Sequence, residues 1–84
     1  NIRQAGKVMK ELIEYVAKSL ASNPDHVKVT EIADEDGQVV LKLEVADEDK
    51  GKIIGRQGRV AQAMRVLLRV RAVKYDVRAN LEIV

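Results

Sequence analysis

The chain has 84 residues and a mass of 9.4 kDa, enough for one small domain and too little for two. It contains no cysteine, one histidine, two serines and one threonine, which excludes a disulfide framework and Cys-ligated metal and leaves little for nucleophilic chemistry; a reduced cytoplasmic protein without metal or cofactor is the simplest reading. The net charge of +2 conceals a segregation: residues 11–49 hold eleven acids and three bases, residues 50–78 nine bases and one acid, so one side of the molecule should carry a positive field suited to a polyanion or an acidic protein surface.

Residues 1–8 carry little pattern and read as an N-terminal extension, either a cloning remnant ahead of a native start at Met9 or a frayed helix end, with no part in function. Residues 9–84 read as one domain. Met9, Leu12, Ile13, Val16 and Leu20 recur at helical spacing, with Lys10, Glu11, Glu14 and Lys18 turned away, which predicts an amphipathic helix over 9–21. Tyr15 on this helix reads as a packing residue. Asn23-Pro24 ends the helix, because the residue before a proline is driven out of the helical region. A β-branched run over 27–32 predicts a strand; His26 at its start has no metal-ligand partner and reads as a surface or capping residue. Val39, Leu41, Leu43 and Val45 alternate with Gln38, Val40, Lys42 and Glu44 as a second strand. Asp34-Glu35-Asp36-Gly37 between the two favours a tight reversal, hence a hairpin.

Asp47-Glu48-Asp49 suits the start of a helix, where acids cap amides and complement the dipole. A short helical segment over 50–54 follows, then Gly55-Arg56-Gln57-Gly58, then a helix from 59 to about 73. Val77, Ala79, Leu81 and Ile83 alternate with Arg78, Asn80, Glu82 and Val84 as a last strand. The order is αββααβ. A two-helix crossover from the second strand makes the third parallel to it, with the helices on one face, so the expected fold is a two-layer α+β sandwich with a three-stranded mixed sheet. No apolar run approaches the ~20 residues of a membrane span, and no membrane partner is expected.

The chemistry concentrates at residues 52–60. Two glycines three apart are common, but these join two helices, hold Arg56 between them, have Lys52 and Arg59 beside them, and lie in a stretch from Lys50 to Tyr75 without an acid. Lacking a Cβ, the glycines let a phosphodiester chain approach the backbone, and the N-terminus of the helix from Arg59 offers amides and a positive dipole end. Lys52, Arg56 and Arg59 add charge along the path. The spacing is not that of a mononucleotide P-loop. With only two tyrosines as aromatics, base stacking contributes little and specificity should be modest; Tyr75, in the loop before the last strand, is placed either to stack on a base or to pack. The long helix carries Val60, Ala61, Met64, Leu67 and Leu68 on one apolar sector, Gln62, Arg65 and Arg69 on a polar one, and a further stripe of Ala63, Val66, Val70 and Val73. That stripe exceeds what packing on one sheet requires and predicts an interface for self-association.

Lys52-Ile53-Ile54-Gly55-Arg56-Gln57-Gly58-Arg59 resembles the signature of the KH (K homology) RNA-binding domain, and the αββααβ order is that of its bacterial type II form. The resemblance extends over residues 9–84, including Asn23-Pro24-Asp25 and the closing Leu81-Glu82-Ile83, and is greatest to the stand-alone single-KH proteins of bacteria, the KhpA family. It implies a non-enzymatic RNA-binding protein of the cytoplasm that clamps about four single-stranded nucleotides, serving post-transcriptional or cell-envelope-related regulation, or RNA chaperone work. Gly55, Arg56, Gln57 and Gly58 match the clamp, and Ile54 and Val60 the apolar positions under the bases. The family also implies a homodimer, or a heterodimer with a larger KH-containing protein of the Jag type. The competing reading is a KH-fold dimerisation module that binds no RNA; an enzyme would need an acid/base pair or nucleophile that the chain lacks.

Overall fold

The computed structural model describes residues 2–84. Helix α1 (Ile2–Leu20) buries Ala5, Gly6, Met9, Ile13 and Ala17 along one row, the three-and-four spacing that holds one helix face. It begins at Ile2 rather than Met9, so the stretch read as an extension supplies the first turns of α1, and Ala5 lies fully within the core. Tyr15 departs from expectation: it lies off the Met9–Ile13–Ala17 row and is 74% exposed, and Leu20 is exposed as well. A 3-10 turn, Pro24–His26, follows, placing the exposed His26 just ahead of the sheet.

Strands β1 (Lys28–Ala33) and β2 (Gln38–Glu44) pair antiparallel, from Lys28 opposite Glu44 to Ala33 opposite Val39. In the acidic turn between them Asp34 Oδ1 accepts from the amides of Asp36 (2.9 Å) and Gln38 (3.1 Å), an aspartate closing its own turn. After a second 3-10 turn, Asp47–Asp49, come α2 (Lys50–Ile54) and α3 (Arg59–Lys74). Strand β3 (Arg78–Ile83) runs parallel to β2, giving the order β1-β2-β3. This is the expected α+β arrangement with a mixed three-stranded sheet.

Val29, Val39, Leu41, Leu43 and Leu81 form the buried sheet face, and Met9, Ile13, Ile53, Met64 and Leu68 from the three helices close the core over it. The alternate residues Lys28, Thr30, Lys42, Glu44, Arg78, Asn80 and Glu82 are exposed, so the period-two alternation keeps one face apolar and the other in water. At the edge strand β3 the Leu81 amide donates to Asn80 Oδ1 (3.0 Å) and its carbonyl accepts from Arg65 Nη2 (3.4 Å); engaging edge groups with polar side chains discourages unwanted strand pairing.

On α3 the core row is Ala61, Met64, Leu68 and Ala72. Leu67, expected with them, is 44% exposed, because it stands about 100° round the helix from Leu68. It joins the surplus stripe, of which Ala63, Val66, Val70 and Val73 are all exposed in the single chain.

Candidate nucleic-acid interface

The segment joining α2 to α3 is built from three unusual backbone positions. Gly55 has φ 79, ψ 169, Gln57 φ 56, ψ 25, and Gly58 φ 73, ψ 15. A positive φ is routine for glycine and costs an L side chain about 1–2 kcal/mol, so Gln57 holds its conformation against its own preference. The loop's internal hydrogen bonds use the amides of Gly55 (to Gly51 O, 2.8 Å), Gly58 (to Gly55 O, 3.0 Å) and Arg59 (to Arg56 O). The amides of Arg56 and Gln57 enter none of these. The donors expected at the start of the long helix are thus partly turned inward, and the tip residues Arg56 and Gln57 lie exposed. Successive main-chain N–H groups around a right-handed then left-handed residue form a concavity of the kind that holds anions.

The two glycines differ. A Cβ on Gly55 would lie 2.8 Å from the main-chain nitrogen of Val60: here the loop packs on the first turn of α3, and that contact, rather than approach of a phosphate, demands glycine. A Cβ on Gly58 would meet nothing within 4 Å; its glycine serves the left-handed backbone and leaves the outer surface open.

Of the flanking residues, Ile53 is fully buried and Ile54 is exposed beside the loop, while Val60 is partly buried against the core and Gly55. Arg56 and Arg59 are exposed. Among the described residues every ion pair uses a lysine and none an arginine, so the charge of Arg56, Arg59, Arg65, Arg69 and Arg71 is not neutralised internally. Tyr75 is half-buried and packs against the core, the packing arm of its two expected roles.

Lys52 is placed differently from the arginines. Its ammonium contacts Ser22 Oγ and lies 3.8 Å from Asp49 Oδ1. Asp49, expected with Asp47 and Glu48 to cap α2, makes no capping hydrogen bond to the amides of that helix. It is the buried charged residue among those described, and its carboxylate reaches back across the fold. Oδ1 accepts from the Ser22 amide (3.0 Å), and Oδ2 from the Asn23 amide (2.9 Å) and Asn23 Nδ2 (3.2 Å). Asn23 Nδ2 also contacts Glu48 Oε1. The Ser22 amide above all, then those of Asn23 and the Lys52 charge, hold the Asp49 carboxyl below its ordinary value against the opposing effect of desolvation. Periodicity could not locate this cluster, since its members lie 26 and 27 residues apart; the signal was a turn residue pair after α1 and an acid before α2, each with a sufficient local explanation.

Among the described residues no group of His, Cys, Asp or Glu is arranged to hold a metal ion, and no helix is long and apolar enough to cross a membrane.

Comparison with known proteins agrees with this geometry. RNA-binding protein KhpA of Clostridium acetobutylicum is 47% identical over 76 residues, 90% of this chain and the whole of that protein. KhpA of Caldanaerobacter subterraneus is 46% identical over the same coverage, and KhpA of Borreliella burgdorferi 48% over 87% of this chain and 88% of its own length. No solved structure matches the chain. The model of the KhpA/KhpB KH domain matches residues 10–83, nearly the full span from α1 to β3, and the chain belongs to that family.

Proposed function

We propose that this is a non-enzymatic RNA-binding protein that holds single-stranded RNA at the loop from Gly55 to Gly58. The observation that carries the reading is the open tip of that loop: exposed residues Arg56 and Gln57 whose amides take no part in the loop's internal bonds, a bare surface at Gly58, and the unneutralised cations Arg56 and Arg59. Phosphates sit against the tip, and bases lie toward Ile54 and Val60. The names of the relatives support RNA as the polyanion. A cytoplasmic place and a role in post-transcriptional or cell-envelope-related regulation fit the same reading.

The test replaces Arg56 and Gln57 together with Asp, putting two negative charges at the tip without touching core or glycines. Binding of a single-stranded RNA should collapse while the melting temperature moves by only a few degrees; binding like that of the parent would sink the assignment. With two to four phosphate contacts, log K should fall against log salt with a slope of roughly −1.4 to −2.8 for single strands, and duplex DNA should bind more weakly. A salt-independent affinity would favour the dimerisation module.

A second copy of the chain is the proposed occupant of the α3 stripe. Val66, Val70 and Val73 are 45%, 66% and 76% exposed and, with Ala63 and Leu67, make one contiguous apolar face at helical spacing. Val66→Glu should give a folded monomer from a dimer, because an unpaired carboxylate in a dry contact costs several kcal/mol or more. It should also weaken binding to long RNA through lost avidity but not to a four-nucleotide RNA. A monomeric parent by light scattering would refute the homodimer and leave a larger KH-containing partner of the Jag type as the occupant to test.

A further inference from the structure

Helix α2 is only five residues, Lys50–Ile54, far below the length at which a helix holds itself in water. Its orientation, and with it the take-off of the Gly55–Gly58 loop, is imposed from outside. Three anchors do this. Ile53 is sunk in the core, and Gly55 packs on Val60 at the far end. The third, at the start, is Asp49, whose carboxylate gathers the amides of Ser22 and Asn23 just beyond α1. An apolar contact resists separation but tolerates rotation, whereas a carboxylate receiving three donors from fixed directions defines an angle. Lys52, one turn into α2, completes the arrangement by reaching back to Ser22 and Asp49.

We infer that Asp49 is a positioning residue for the RNA clamp: by tying the start of α2 to the Ser22-Asn23 segment it sets the angle at which the loop is presented, and Lys52 is first a member of this latch. This rests on the clamp reading above. It gives the segment between α1 and β1, which holds no lysine, arginine or glycine, a bearing on affinity, and explains why Asp49 reaches across the fold instead of capping its own helix.

The experiment compares the parent with Asp49→Asn, which keeps the shape but presents an amide group to donors, at a temperature where circular dichroism shows both fully folded. Two readouts are taken: affinity for a short fluorescein-labelled single-stranded RNA of randomised sequence at several salt concentrations, and the NMR amide shifts of Gly55 and Gly58. A residue that only stabilises the fold would leave the folded variant binding like the parent. A positioning residue predicts moved loop amides and affinity lower by roughly tenfold, because a site whose supporting groups are loosened no longer holds its binding groups in the productive geometry, with the salt slope unchanged because the phosphate contacts keep their number. Should Asp49→Asn not fold, Asn23→Ala removes one donor while keeping both main-chain bonds and should shift the same two amides with a smaller loss of affinity. Parental affinity together with unmoved Gly55 and Gly58 amides in a folded variant overturns the inference. If the parent itself binds no RNA, the clamp reading fails, and the loop amides still decide whether Asp49 orients the loop.

Discussion

The two ends of the Gly55–Gly58 loop, though only three residues apart, are held by opposite means. The proximal end is embedded: Ile53 lies in the core, Gly55 presses on Val60, and Asp49 ties the whole arm to the end of α1. The distal tip is open: Arg56 and Gln57 project into solvent, and Gly58 faces empty space. A loop that is stiff at its root and bare at its tip keeps donors aimed at a ligand while leaving the ligand room. Both glycines hold a positive-φ backbone, but the one at the root also answers a demand for close packing, which the one at the tip does not.

Exchanging the glycines for alanine is the sharpest way to break this comparison. Gly55→Ala meets a backbone atom that cannot move cheaply and a conformation open to glycine almost alone, so a loss of about 2–4 kcal/mol is expected, a fall in melting temperature of roughly 10–30 °C for a domain of this size. Gly58→Ala has free space and bears only the left-handed backbone, about 1–2 kcal/mol, yet its methyl stands on the surface where the phosphate would come. Thermal unfolding should rank Gly55→Ala as the worse. RNA affinity at a temperature where both are folded should fall in Gly58→Ala as well, out of proportion to its small stability cost. Equal melting temperatures would show that the root is not packed as described.

Acid tests the root alone. Its hydrogen bonds hold the Asp49 carboxyl below its ordinary value in the folded protein, so the stability it contributes is present above the unfolded-state value near ~3.9 and is lost as pH falls through the lower folded-state value. The difference in melting temperature between the parent and Asp49→Asn should therefore be widest at neutral pH and narrow as pH drops below about 4. A difference that stays constant across that range would mean the carboxylate charge is not what the Ser22 and Asn23 amides recognise.

The smallest effect belongs to the tip. Gln57→Gly removes the penalty of a left-handed L residue but adds chain entropy to the unfolded state, so melting should rise by a degree or so or remain level. RNA affinity should not improve in step, since a freer loop pays ordering entropy on binding. Destabilisation by several degrees would mean that the Gln57 side chain supports the loop.

How far the sequence could be read depends on the range of the interactions concerned. The alternation in β2, the helical rows of α1 and α3 and the Asp34–Gly37 turn are local patterns, each with a physical period, and they were sufficient for the element order and the parallel placement of β3. The basic segment with Gly-x-x-Gly was equally legible, because charge and glycine spacing need no third dimension. At the N-terminus the same method stopped short: Ala5 and Gly6 are too small to register as an apolar stripe, yet both are buried against the core in the first turns of α1. Tyr15 and Leu67 misled for the converse reason, since a large apolar side chain on a helix signals burial only once the contact row is known.

What the sequence by itself determined is the αββααβ order, the segregation of charge and the location of a basic Gly-x-x-Gly loop between two helices, all consequences of short-range periodicity and composition. Only the tertiary structure decided that Gly55 packs while Gly58 stays open, that Asp49 leaves its own helix to bind Ser22 and Asn23, and that Lys52 turns toward that latch. Those outcomes depend on which donors remain unpaired when residues distant in the chain are brought together, and a buried carboxylate goes to the amides that would otherwise be left without a partner.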